Sequence, residues 1–117
     1  MPIEALALAR QIVETLEEKK GEDILLLDLQ DISTFTDFFV ICTCVSERTL
    51  HALGDEVIRR VKTSELADAP RVEGEPSSGW VLIDYGGVIL HLFTQPRRDY
   101  YRLEELWKEG RILVRVQ

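Results

Sequence analysis

Cysteine is nearly absent: Cys42 and Cys44 are the only two in 117 residues, and a single residue separates them. A disulfide at that spacing would be strained, and a metal site would need a longer spacing with further ligands elsewhere. They read as two small apolar residues pointing to the same side of a strand. Long hydrophobic runs are also missing, and none approaches the roughly 20 residues of a membrane span. The amino-terminal "MPIEALALARQIVETLEEKKG" lacks the charged-then-apolar layout of a signal peptide. A cytoplasmic location away from membranes is therefore expected. Positive charge is scarce as well. The nearest approaches to a basic stripe are Arg97-Arg98 with Arg102 and Arg59-Arg60 with Lys62, and acids follow both. With a formal net charge of -7, the average field repels phosphate backbones. Little direct contact with RNA is expected, so a partner near nucleic acid would have to be a protein.

What is present suits one globular domain spanning residues 1–117, with 45% hydrophobic and 30% charged residues and no biased tract. Ile3, Leu6, Ile12, Val13 and Leu16 fall near one helical stripe that ends at Gly21. "DILLLDL" (23–29) and "DFFVICTCV" (37–45) are short apolar runs of buried-strand type, joined by the turn-forming "QDISTFT". Ser46 stands where a helix cap belongs, and Leu50, Leu53, Val57, Ile58 and Val61 recur with helical period to about residue 64. Residues 65–79 hold two prolines, two glycines and a serine pair and read as a solvated connection. Hairpin strands 80–85 and 88–93 follow, then a helix from about Asp99 to Lys108 and a possible edge strand, "RILVRVQ". The expectation is an α/β (α+β) fold in the order α-β-β-α-β-β-α, a mixed β-sheet of four or five strands flanked by helices.

The hairpin can be read face by face. A two-residue turn at Gly86-Gly87 pairs Trp80 with Phe93, Leu82 with His91 and Asp84 with Ile89. One face then carries Val81, Ile83, Tyr85, Val88, Leu90 and Leu92, which is plain core. The other carries Trp80, Leu82, Asp84, Ile89, His91 and Phe93, large apolar groups mixed with an acid and an imidazole. Such a face fits partial burial or burial against a partner. The alternative is cover by a helix of the same chain. The helix after Pro96 offers Tyr100, Leu103, Leu106 and Trp107 on one stripe.

Catalysis has weaker support. Asp84 and His91 could be two members of a triad, but Ser46 is explained as a cap and no glycine-flanked nucleophile turn exists. Asp28, Asp37 and Asp84 are candidates for a magnesium-dependent nucleotidyl transfer site, yet no phosphate-cradling glycine turn precedes the Ser46 helix.

With these residues in view, the chain resembles the ribosomal silencing factor family, also called Iojap. The resemblance is carried by "DILLLDLQDISTFTDFFVICTCVSERTLHALGDEV", by "GWVLIDYGGVILHLF" and by "YYRLEELW". It implies a domain related to the nucleotidyltransferase fold without its catalytic site, needing no cofactor. It further implies binding to the large ribosomal subunit through that subunit's fourteenth protein, a steric block to joining of the small subunit, and reduced translation under nutrient limitation. The residues expected to build or support the docking surface are Trp80, Leu82, Asp84, Tyr85, His91, Phe93, Tyr100, Leu103, Leu106 and Trp107, with Asp84 taking a basic side chain and His91 supporting Asp84. Self-association through the same patch, as a homodimer in the free state, is a competing use. Two positions depart from the family pattern: Gly87, where an acid is usual, and Cys44-Val45, where a small residue or glycine precedes the serine.

Overall fold

The computed structural model describes the backbone of residues 2–117 and side chains from Ala5 onward. Ile3, counted in the first helical stripe, lies outside the described side chains. Helix α1 (Pro2–Glu18) leads into β1 (Glu22–Asp28) and β2 (Phe38–Cys44), then α2 (Glu47–Ser64), β3 (Arg71–Glu75), β4 (Trp80–Asp84) and β5 (Val88–Thr94). Helices α3 (Gln95–Tyr101) and α4 (Leu103–Leu106) and strand β6 (Arg111–Val116) complete the chain.

The strands form one mixed sheet in the order β3-β4-β5-β2-β1-β6. Its only parallel pair among the described residues is β2 with β5; the other neighbours run antiparallel. The sheet thus has six strands where four or five are expected. The additional member, β3, lies inside the stretch read as a solvated connection. Every residue of β3 is exposed. An edge strand wet on both faces has no apolar alternation to reveal it.

The two faces of the sheet differ. Helices α1 and α2 cover one, burying Leu8, Ile12 and Leu16 with Leu50, Leu53, Val57 and Val61 against Ile24, Leu26, Val40, Ile83, Leu90 and Leu92. Cys42 and Cys44 belong to this layer and are unbridged. A hydrogen bond with Cys44, together with burial, pushes the Cys42 thiol well above its ordinary range, so it behaves as a small apolar residue. Helix α2 starts as its sequence predicts, because the Ser46 hydroxyl accepts from the Thr49 N–H at 3.1 Å. Gly54 faces the sheet at ordinary contact distance, since a Cβ there would stand 3.6 Å from Ile83 and Leu92.

The opposite face carries a second core of Leu25, Leu27, Leu29, Phe39, Ile41, Ile89 and Phe93, on which Trp80, Leu82, Tyr101, Leu103 and Trp107 pack while staying partly exposed. The carboxy-terminal helical segment gives this face its incomplete cover. It is two short helices where one is expected, because Arg102 adopts a left-handed conformation at φ 49° and closes α3 with a hydrogen bond to the Arg98 carbonyl. Pro96 sits in the first turn of α3, a position it favours, so it opens this helix as well as ending the ladder.

Candidate functional site

The predicted hairpin register holds. Trp80 lies opposite Phe93, Leu82 opposite His91 and Asp84 opposite Ile89. Around this register an aromatic cluster forms. The Trp80 ring stacks on Phe93 with centroids 5.2 Å apart, and Tyr101 tilts over it at 4.4 Å. Phe39 meets His91 edge-on at 4.6 Å, and Trp107 meets Phe39 edge-on at 5.6 Å. Offset and edge-to-face contacts of this kind add to plain area burial. They also hold the rings in fixed positions.

The polar groups inside the cluster are oriented by one hydrogen bond. Trp80 donates its Nε1–H to His91 Nδ1 at 3.3 Å. His91 is only 3% exposed, and burial pushes its pKa down to about 4, so the imidazole is neutral near pH 7. With Nδ1 accepting, Nε2 carries the ring hydrogen, and it is buried without an acceptor among the described residues. His91 therefore supports Trp80, not Asp84 as the sequence suggests. Asp84 serves the turn, its Oδ1 accepting from the Gly86 N–H at 2.7 Å. Gly86 takes a positive φ of 90°, whereas Gly87 does not, so the turn needs a glycine at only one of the two positions.

Apart from Asp84 at the turn, the predicted residues separate into three groups. Trp80, Leu82, Leu103 and Trp107 are partly exposed on one face, and Tyr100 and Leu106 stand out at 74% and 73% exposure. His91 and Phe93 are buried beneath them. Tyr85 falls on the other face of the sheet, packed against the α1 and α2 core, with its hydroxyl buried and without a partner among the described residues and its pKa pushed up to about 12 by burial. Strand alternation already places it there.

Two contributors go unnoticed in the sequence. Phe35, in the β1–β2 loop, is 56% exposed, yet it meets Trp107 edge-on at 5.8 Å and so extends the aromatic surface. A lone loop aromatic carries no periodicity that would mark it. Arg98, read as part of a basic doublet, is instead buried. Its Nη1 donates to the Asp23 carbonyl and, at 2.8 Å, to the Thr43 hydroxyl, and its Nε pairs with Glu104 at 3.2 Å. One guanidinium thus ties α3 to β1 and β2, fixing the segment that covers the aromatic face.

The other basic doublet is also spoken for. Arg59 and Arg60 both bond Glu56, and Arg60 reaches Glu18 at 3.0 Å. Two of the candidate catalytic acids, Asp28 and Asp84, have structural partners. Asp28 accepts from the Gln30 N–H at 3.0 Å and faces Arg111 at 3.5 Å. No group of three His, Cys, Asp or Glu side chains suited to a metal ion occurs among the described residues.

Comparison with known proteins places this arrangement. The profile of a family described as ribosomal silencing factor during starvation matches residues 2–116. The ribosomal silencing factor RsfS of Halalkalibacterium halodurans is 38% identical over 103 residues, 88% of this chain and 87% of that protein. A mouse protein named mitochondrial assembly of ribosomal large subunit protein 1 is 30% identical over 98 residues, 82% of this chain and 43% of its own. A crystal structure of a Chromobacterium violaceum protein matches with a TM-score of 0.83 at 33% identity, covering 88% of this chain and 85% of that one. Because the match takes in every strand and both helical layers, and not the hairpin alone, the chain belongs to the ribosomal silencing factor family.

Proposed function

We propose that this protein binds the large ribosomal subunit through that subunit's fourteenth protein and blocks joining of the small subunit, lowering translation when nutrients are limiting. The observation that carries this reading is the aromatic face, a packed apolar surface that its own helices cover only in part. Trp80, Leu82, Leu103, Leu106, Tyr100 and Trp107 form the contact side, with Phe35 extending it and Asp84 at its edge. His91 and Phe93 hold it from beneath. Tyr85 contributes from the opposite face by packing behind the turn. Contiguous exposed apolar area with aromatic and arginine content at its centre is the usual composition of a protein interface.

The charge distribution supports a protein partner over RNA. The chain is acidic, and the buried or paired state of Arg98, Arg59 and Arg60 leaves no continuous basic strip on these elements. The action is occupancy: a small domain seated on one ribosomal protein excludes a much larger body from the same place. One relative carries the name ribosomal silencing factor, and the mouse relative's name refers to assembly of the ribosomal large subunit.

Co-sedimentation with purified large subunits tests the proposal. Wild type should bind saturably, and adding small subunits after it should yield fewer joined ribosomes. Trp80→Ala should lose binding, as truncating a central aromatic costs about 2 kcal/mol or more. Leu106→Asp, at a site too exposed to disturb folding, should do the same. A folded wild type that does not sediment with large subunits would reject the proposal.

A further inference from the structure

Strand β3, the element hidden in the sequence, brings acids to the aromatic face. It pairs with β4 so that Arg71 lies opposite Asp84, Glu73 opposite Leu82 and Glu75 opposite Trp80. Opposed residues of an antiparallel pair share a face, so Glu73 and Glu75 flank the Leu82 and Trp80 side chains. Both are exposed, and among the described residues Glu73 is engaged only by the exposed Arg71 at 3.4 Å. The register is held locally. Gly74 has φ +86°, and a Cβ at that position would collide with the Trp80 carbonyl oxygen. Only glycine lets β3 lie this close to Trp80.

The rest of the margin differs. Along α4 and just beyond it the exposed Arg102 and Lys108 alternate with the exposed Glu105 and Glu109, and neither sign prevails. On the β3 side Glu73, Glu75 and Asp84 outnumber the one opposing cation of that strand, Arg71, which stands across from Asp84 and touches Glu73.

We infer that Glu73 and Glu75 are specificity determinants of the docking face, an acidic margin that receives lysine or arginine side chains from a basic protein surface and sets the orientation in which it lands. This rests on the docking reading above and adds the chemistry of the partner on one named side. Exposed rim charges act mainly on encounter, and the buried aromatic centre acts mainly on dissociation. The same acids repel a phosphate backbone.

The test is the kinetics of the full chain binding to immobilised large subunits over a series of salt concentrations. Glu73→Gln with Glu75→Gln is compared with Glu14→Gln plus Glu17→Gln, which removes equal charge from exposed positions of α1 on the opposite layer. The β3 pair should slow association about tenfold at low salt and flatten its salt dependence. Dissociation should stay within about twofold, and the α1 pair should change association by less than about twofold. Equal behaviour of the two pairs overturns this inference while leaving docking intact, provided Trp80→Ala still loses binding. Faster association by the β3 pair overturns it in favour of a phosphate-bearing contact. Absence of wild-type binding removes both readings together.

Discussion

The Trp80 indole donates to Nδ1 of His91 at 3.3 Å, so a partly exposed side chain of the aromatic face is held in place by a buried one. Burial of His91 lets a neutral ring act as a fixed acceptor, which a protonated ring could not do.

That bond has a pH signature. The His91 pKa lies near 4 when folded, against an ordinary 6.5. Between these values the unfolded chain binds more protons, so stability is fully present above 6.5 and falls as pH drops toward 4. The loss from this group amounts to about 3 kcal/mol. Urea unfolding of wild type and His91→Phe at several pH values should show the variant lacking that part of the slope. Parallel slopes would reject a buried neutral imidazole.

Arg98→Met should destabilise the protein by about 3 kcal/mol, since it leaves the Glu104 carboxylate and the Asp23 carbonyl short of a donor. Arg98→Lys should recover little, because a single ammonium cannot serve Asp23, Thr43 and Glu104 in their separate directions. Hydrogen exchange of α3 and α4 should quicken in both variants ahead of the rest of the fold.

The Tyr85 hydroxyl is buried without a partner among the described residues, and removing it costs no hydrogen bond to any of them. Tyr85→Phe should be neutral or stabilise by about 1 kcal/mol in thermal unfolding. Binding to large subunits should be unchanged, in contrast to Trp80→Ala.

Phe35 is largely exposed but touches Trp107 and Phe39. Phe35→Ala should cost no more than about 1 kcal/mol of stability. It should weaken binding to large subunits roughly tenfold, the loss of one contributing interface aromatic. Titration by co-sedimentation separates the two effects.

A nucleotidyl transfer site built on Asp28, Asp37 and Asp84 would bind nucleotide with magnesium and raise the melting temperature. Asp28 and Asp84 are engaged in turn hydrogen bonds. Addition of magnesium with each nucleoside triphosphate should therefore leave the melting temperature where it was.

Much of this architecture is legible in the sequence where burial imposes a period. Helix α2 shows its cap at Ser46 and its buried stripe, and the β4–β5 register follows from two glycines and strand alternation. Three features are not legible, each for its own reason. Strand β3 is solvated on both faces, so its composition looks like a loop. The break at Arg102 places a left-handed conformation on a residue that rarely adopts one, and no glycine marks it. The burial of Arg98 depends on a carbonyl and a hydroxyl from distant strands, and only the folded sheet brings them together. At the site, the sequence puts Trp80, Phe93 and His91 on one face, as the fold does, but assigns His91 the wrong neighbour, because adjacency across strands does not say which way a ring turns.

The parallel pairing of β2 with β5 also governs when this surface can exist. Phe38 finds its neighbour Val88 only after α2, β3 and β4 have been made, so the centre of the sheet waits on distant residues. Such non-local contacts form late. The aromatic face waits longer still, since Tyr101 and Trp107 follow β5 in the chain. A copy emerging from a working ribosome thus lacks this surface until the chain has been made through Trp107.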